Sequence, residues 1–182
     1  MHDLIHPSDF PHLLLQPIKW GPVQGRFELR ETPPPADQIN SVHAVPFTAE
    51  GWLLIRLADG MWEIPGGTLE PGEDYLAALR RELREEAGAR LVSFSLLGVW
   101  HCHSSASVPY RPHLPHPNFD ILAGYGKVEI VGRPQNPVDA EQITVVESIP
   151  GEEAARRFHA AGRPELAELY RLAAVIRSTR SM

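Results

Sequence analysis

Apolar residues cluster in several short runs of the chain and recur with the helical period in longer ones. Ile39 to Thr48 and Gly51 to Leu57 are rich in Val, Ile, Leu and aromatic residues and read as two strands joined at Ala49-Glu50-Gly51. Met61 to Ile64 is a shorter strand, entered through the turn Ala58-Asp59-Gly60 and stopped by Pro65-Gly66-Gly67. Leu91 to His103, Phe119 to Val131 and Gln142 to Glu147 are also strand-like. The segment Ser104 to Asn118 carries prolines at 109, 112, 115 and 117 and reads as a loop.

Glu73 to Ala87 is the best helix: its residues are mostly strong helix formers, and Gly88 is placed to stop it. Leu76, Leu79, Leu83 and Ala87 fall within an arc of about 80°, an apolar stripe. Gly151 to Ala161 and Pro164 to Arg177 are two further helices, the last with Leu166, Leu169, Tyr170, Ala173 and Ile176 on one face. Strands enclosing a helix, then more strands and terminal helices, predict an α/β protein with a mixed sheet flanked by helices. Residues 1–38 read as an extension ahead of a domain over 39–182. The extension holds Pro7, Pro11, Pro17 and Pro22 and runs into Pro33-Pro34-Pro35. Phe27 to Arg30 alternates within it, so the extension is a candidate for an added strand or a homodimer contact.

Composition narrows the function. The chain has 182 residues, enough for one domain with an extension. Its 17 Lys+Arg against 23 Asp+Glu give a net charge of −6, which is not the basic footprint of a duplex nucleic-acid binder. Cys102 is the only cysteine, which excludes an intrachain disulfide and a multi-cysteine zinc site. The start MHDLIHPSDF lacks the basic and long apolar regions of a signal peptide, and no apolar run is long enough for a spanning helix. These features lead us to expect a cytoplasmic protein with no membrane partner.

The acid is concentrated. Residues 67–89 hold six acids and three bases, a net −3 that is half the chain's excess. Glu82, Glu85 and Glu86 are spaced i, i+3, i+4 and lie within an arc of about 100° beside the apolar stripe. Like charges on one helix face repel by a few tenths of a kcal/mol per exposed pair, so a helix built only for stability would gain from lysine among them. Two readings remain: a solvated face partnered by Arg80, Arg81 and Arg84, or a rigid half-shell of carboxylates for a hard divalent cation. The preceding segment, Pro65 to Glu73, puts three glycines and two prolines in nine residues, so its backbone can approach a ligand closely. No lysine follows as in GxxxxGK[ST], and GxGxxG is not matched, so neither a P-loop nor a Rossmann turn is present.

Gly67, five residues, Glu73, seven residues, then Arg81-Glu82-Leu83-Arg84-Glu85-Glu86-Ala87-Gly88-Ala89 resembles the Nudix box of the Nudix hydrolases. Every fixed residue is present. Ala89 departs from the pattern, being smaller than the usual bulky aliphatic, which concerns packing rather than chemistry. Trp62-Glu63-Ile64-Pro65-Gly66 is similar to the family's lead-in. The resemblance implies an α/β/α sandwich that cleaves the diphosphate of a nucleoside diphosphate derivative, a small-molecule substrate, with Mg²⁺ or Mn²⁺. It implies metal ligation by Glu82, Glu85 and Glu86, with Glu82 and Glu86 central to catalysis. Arg81 would orient the glutamates, and Glu73 would hold the loop–helix junction or assist the metal. Gly66 and Gly67 would admit the phosphates to the backbone. The general base varies within the family; Asp139 and Glu141, ahead of the strand ITVVE, stand where some members carry it, and Glu141 is preferred here. The rival is a catalytically silent Nudix-fold nucleotide-binding or regulatory module, which loss of box glutamates would favour; none is lost.

Outside the box, Tyr110 could stack on a base and Arg111 could pair with a phosphate, making 104–118 a candidate substrate lid. His101 and His103 share a strand face, but two ligands rarely make a metal site. Nothing in the sequence gives Cys102 a partner to activate it as a nucleophile. Trp20, Trp52, Trp62 and Trp100 are expected in the core or an interface. No subfamily marker identifies the substrate: the position about 15 residues past the box, where some members carry proline, is Ser104.

Overall fold

In the computed structural model, which describes residues 5–138 and 141–180, the strand runs join one mixed sheet. In chain order the elements are β1 (Ile18–Trp20), β2 (Val23–Leu29), β3 (Ile39–Phe47), β4 (Trp52–Leu57), β5 (Trp62–Glu63), β6 (Gly66–Thr68), α1 (Tyr75–Ala87), β7 (Ala89–Leu91), β8 (Ser95–Ser104), β9 (Asn118–Ile130), β10 (Ile143–Ile149), α2 (Gly151–Ala160) and α3 (Pro164–Arg180). The main path across the sheet is β1-β2-β8-β9-β3-β4-β10. Only the central pair, β3 with β9, is parallel.

Strand side chains alternate between two cores. Val42, Leu53, Ile55, Val99 and Leu122 pack against Leu79 and Leu83 of α1. Val45, Leu54, Trp100 and Ile121 pack on the other face against Phe158 of α2 and Leu166, Leu169 and Tyr170 of α3. This is the α/β/α sandwich. Full burial of a Leu contributes about 1.5–3 kcal/mol, so Leu79 and Leu83 alone hold α1 firmly to the sheet. Among the described residues no helix is long and apolar enough to cross a membrane.

Several boundaries differ from the sequence expectation, each for a local reason. Helix α1 begins at Tyr75 because Asp74 caps it, its Oδ1 accepting from the Leu76 and Ala77 N–H at 2.8 and 2.9 Å. It ends where expected, with Gly88 left-handed at φ +59°. Ala78 joins the buried stripe, and Leu76 is only half-buried. The single strand expected over Leu91–His103 is two, β7 and β8, both paired with β9. Val92–Phe94 stand opposite Gly126 and Lys127, a bulge that needs glycine: a Cβ at Gly126 would lie 2.2 Å from the Ser93 carbonyl oxygen. Gly66–Thr68, read as loop, is a strand paired with Ser41–His43.

The alternating run at Phe27 is the end of β2, which forms a hairpin with β1 and pairs with β8 from Val23 opposite Ser104 to Leu29 opposite Gly98. Ahead of it, helical turns at Pro7–Asp9 and Pro11–Leu15 bury Leu13 and tie its N–H to Glu168 Oε2 at 2.8 Å. Trp52 and Trp100 are buried; Trp20 and Trp62 are half-buried.

Candidate active site

Arg81 organises the acidic helix. Its Nε and Nη2 donate to both oxygens of Glu73 at 3.0 and 2.9 Å, a forked charge-assisted pair. Nη1 donates to Glu82 Oε1 at 2.7 Å and lies 3.6 Å from Glu85 Oε2, and Nη2 also reaches the Thr68 carbonyl at 3.0 Å. One guanidinium thus ties α1 to β6 and to the loop before the helix. Burial alone would raise the Glu73 carboxyl, but the hydrogen bonds from Arg81 and the Glu70 N–H overcome this and hold it below its usual value. Both Glu73 oxygens are engaged, so this residue braces Arg81.

Glu86 lies beyond that reach. Its Oε2 accepts the Gly66 N–H at 2.9 Å. Burial pushes its carboxyl up to about 8 against that hydrogen bond, and the charges of Glu82, Glu141 and Glu63 add to the rise. Burial raises Glu82 as well, against its bond from Arg81. Gly66 and Gly67 provide clearance here. Gly66 has φ +145°, and a Cβ there would meet the Val42 carbonyl oxygen at 2.3 Å. A Cβ at Gly67 would lie 2.3 Å from Glu82 Oε1, so the missing methyl makes the space the carboxylate occupies.

The structure gathers some of the remaining candidates and scatters others. Glu141 is exposed, yet its charge is felt by Glu86 and Glu63, which places it on the same side of the site. Asp139 lies outside the described residues. Tyr110 is exposed but helps line a groove of about 360 Å³ that also touches Thr68 of β6. Arg111 sits over the Tyr110 ring, 5.8 Å from its centroid. His101 and His103 are remote from the box. His101 bridges Asp120 at 2.7 Å and Glu28 at 2.9 Å, and His103 bonds Asn118 at 2.9 Å. They line an open cavity of about 870 Å³ that includes no box residue, so volume alone does not find this site. Cys102 is buried, its thiol pushed up to about 12 by burial and by Asp120, which leaves it without thiolate at neutral pH.

Sequence reasoning passed over His43 and Arg163, and took Glu63 only as part of the lead-in Trp62-Glu63-Ile64-Pro65-Gly66. Glu63 is raised by burial, with Arg163 as ion-pair partner opposing the rise. His43 pairs with Gly66 across β3 and β6, a relation that strand register reveals and linear spacing does not.

A NUDIX domain model matches residues 38–172. The chain belongs to the Nudix hydrolase family. Over 66 residues it is 41% identical to m7GpppN-mRNA hydrolase NUDT17 of Xenopus laevis, covering 33% of this chain and 22% of that protein. Over 47 residues it is 49% identical to nucleoside triphosphatase NudI of Escherichia coli, covering 22% of this chain and 33% of that protein. The chain therefore spans at most about a third of the length of these curated relatives. Among solved structures it resembles a mutant of the Bacillus subtilis pyrophosphohydrolase BsRppH, with TM-score 0.56 and 21% identity over 78% of this chain and 83% of that one. A NUDIX hydrolase from Nitrosomonas europaea gives 0.54 and 23% over 76% and 89%.

The donor set suits the divalent cation that the family implies. Glu82, Glu85 and Glu86 offer hard carboxylate oxygens from one helix, and Gly67 leaves the room that the Glu82 carboxylate occupies. Among the described residues no three acids, histidines or cysteines converge at ligation distance, because Arg81 draws Glu82 and Glu85 while Gly66 holds Glu86.

Proposed function

We propose that this chain hydrolyses the diphosphate linkage of a nucleoside diphosphate derivative, with Glu82, Glu85 and Glu86 holding Mg²⁺ or Mn²⁺. The observation that carries this reading is the desolvated carboxyl of Glu86, on the Gly66 N–H beside Glu82 and Gly67. A bound divalent cation supplies charge neutralisation of the diphosphate and acidifies a coordinated water. The residues do the rest. Arg81 fixes Glu82 and Glu85 from one side, so the two carboxylates present a constant face to the substrate. Gly66 and Gly67 let the phosphates come against backbone. Glu141, exposed and within electrostatic reach of Glu86, takes the proton from the attacking water as general base. Tyr110 lines the outer groove with Arg111 over its ring, so that the ring can stack and the guanidinium can meet phosphate.

The names of NUDT17, an mRNA hydrolase, and NudI, a nucleoside triphosphatase, support a nucleotide as the ligand. The test is a panel of nucleoside diphosphate derivatives with Mg²⁺ and with Mn²⁺, scoring formation of nucleoside monophosphate, with Glu86→Gln as control. Metal-dependent turnover that Glu86→Gln abolishes is expected. No turnover of any diphosphate would overturn the activity, and undiminished turnover in the variant would overturn the site.

A further inference from the structure

The open cavity that includes no box residue is floored by three adjacent strands, β2, β8 and β9. Register sets the side chains of its floor in rows. Arg26, His101 and Asp120 share one row, and His103 and Asn118 stand opposite each other in the next. Glu28, two residues along β2 from Arg26, points to the same face. Cys102 alternates to the opposite face and is buried in the other core, so it takes no part. The linear sequence shows only the two histidines; the carboxylates beside them come from strands that pairing brings in.

The two imidazoles are held alike. His101 Nδ1 lies 2.7 Å from Asp120 Oδ1, and His103 Nδ1 lies 2.9 Å from Asn118 Oδ1. Both partners are acceptor oxygens, so each Nδ1 carries a proton and donates it. That leaves Nε2 as the second nitrogen of each ring. His101 Nε2 lies 2.9 Å from Glu28 Oε2, and His103 Nε2 has no partner among the described residues. A carboxylate oxygen and an imidazole nitrogen both offer lone pairs, so a cation belongs between them, either a proton or a metal ion. Metal-ligating histidines nearly always show this arrangement, with the far N–H on a carboxylate or carbonyl oxygen that fixes the ring and raises its basicity. Asp120, 6% exposed, is such a group for His101. Two histidines at i, i+2 on a strand stand about 7 Å apart on one face, close enough to share an ion. Arg26 is the opposing charge; it is exposed and makes no described ion pair, and its length lets it swing clear.

We propose that His101 Nε2, His103 Nε2 and Glu28 bind a transition-metal ion, Zn²⁺ fitting best, with Asp120 and Asn118 orienting the two rings. Two imidazoles and one carboxylate are a donor set for Zn²⁺, whereas Mg²⁺ takes oxygen throughout. The three ligands do not converge as they stand. Closing the set takes rotation of Glu28 and His103, both exposed side chains on a rigid sheet. A fourth position stays open to water. The ion clips β2 to β8, and so fastens the N-terminal hairpin, which precedes the matched region 38–172, onto the sheet. This site is separate from the box and does not depend on the hydrolase reading.

The test measures binding, and so does not need turnover. Chelator-treated protein is titrated with Zn²⁺ by calorimetry in excess Mg²⁺, which competes for the box carboxylates, and Glu86→Gln protein is titrated in parallel. His103→Ala is the main variant, because the side chain is exposed and the fold does not need it. Asp120→Asn tests the orientation of the His101 ring, and circular dichroism melts without metal check that both variants fold. We expect one equivalent of Zn²⁺ to bind the natural protein and Glu86→Gln alike. Affinity should fall about 10–100-fold in Asp120→Asn, the weight of an orienting group, and by more than about 100-fold in His103→Ala, which loses a ligand. Saturating Zn²⁺ should raise Tm in the natural protein and not in His103→Ala. If no Zn²⁺ binds in excess Mg²⁺, or if affinity in His103→Ala stays within about threefold, the site is wrong. Binding lost in Glu86→Gln and kept in His103→Ala would place the ion on the box and overturn the proposal equally. Each of these results leaves hydrolysis of diphosphates standing, since that is scored by its own assay.

Discussion

The two adjacent glycines of β6 should fail in opposite ways when each is changed to alanine. At Gly67 the added Cβ would stand 2.3 Å from Glu82 Oε1 and 2.7 Å from its Cδ. Ordinary contact begins near 3.4 Å, so the carboxylate must retreat by about 1 Å. The obstacle is the far end of a flexible side chain, and it can move. The retreat gives up the 2.7 Å bond from Arg81 Nη1, a charge-assisted bond worth about 1.5–3 kcal/mol, partly offset by the lower chain entropy of alanine in the unfolded state. A net loss of about 1–2 kcal/mol, or roughly 2–8 °C in Tm, follows. The chemistry tolerates less. A 1 Å displacement of a positioning group costs about 100-fold in rate.

Gly66→Ala meets a different obstacle. Its φ of +145° is outside the range that alanine adopts readily, and its Cβ would stand 2.3 Å from the Val42 carbonyl oxygen and 2.6 Å from His43 Cα. Both belong to the backbone of β3, the central parallel strand, which has no room to yield. We expect at least about 3 kcal/mol of destabilisation, seen as poor expression or a drop in Tm of more than about 6 °C. The assay is paired: thermal melts by circular dichroism, and kcat/KM on the best diphosphate of the panel. Gly67→Ala should fold and lose activity; Gly66→Ala should lose the fold. If Gly67→Ala keeps kcat/KM within threefold of the natural chain, or melts as low as Gly66→Ala, the clearance argument fails.

Three further outcomes follow from the same geometry. The Glu86 carboxyl is raised to about 8 from an ordinary 4.5, so its contribution to the stability of the metal-free protein is full below pH 4.5 and is lost as pH rises through 8, by ~2–4 kcal/mol after screening; Glu86→Gln, which can still accept the Gly66 N–H, should flatten that slope in melts across pH 4.5–9, and an unchanged slope would refute the assignment. Arg81→Lys keeps the charge but loses the fork that joins Glu73 and Glu82, so kcat should fall by about 100-fold or more while the variant still melts cooperatively; activity within tenfold would show that orientation matters little. Tyr170→Phe removes the buried O–H donated to the Leu53 carbonyl at 2.7 Å, in the core on the sheet face opposite α1, and should cost about 1–2 kcal/mol in denaturant titration without altering kcat/KM.

The box was legible because its chemistry is written in linear spacing: a helix turns i, i+3, i+4 into one face, and Glu82, Glu85 and Glu86 need no long-range information to be seen together. The near-continuous apolar runs of β3, β4 and β9 make the sandwich legible in the same way, since each strand buries both faces. What spacing cannot carry is register. That Gly66 lies against His43, that β2 runs beside β8, and that Trp20 reaches Trp100 are consequences of pairings across tens of residues. Linear spacing presents Gly66 and Gly67 as loop glycines whose backbone a ligand can approach, whereas in the fold they are clearance inside a strand, a distinction that appears only once Val42 and Glu82 are placed beside them.

The charge count of the acidic helix then acquires a physical structure. Arg81 is the only cation paired with the box acids among the described ion pairs, and it is shared by Glu73, Glu82 and Glu85. Arg80 and Arg84, on the same helix, are exposed and contribute no described ion pair to the cluster. Glu86 is left with one backbone N–H, and its raised carboxyl is the consequence: protonation is the only local means of relieving burial beside Glu82, Glu141 and Glu63. A helix selected for stability would place a lysine in that gap. Keeping a desolvated carboxyl there spends stability on a group that gains most when positive charge approaches from outside the chain, and a diphosphate brought in with its divalent cation supplies that charge. The net −6 of the protein is thus no argument against an anionic substrate, because the repulsion that would exclude the substrate is the same repulsion the cation removes.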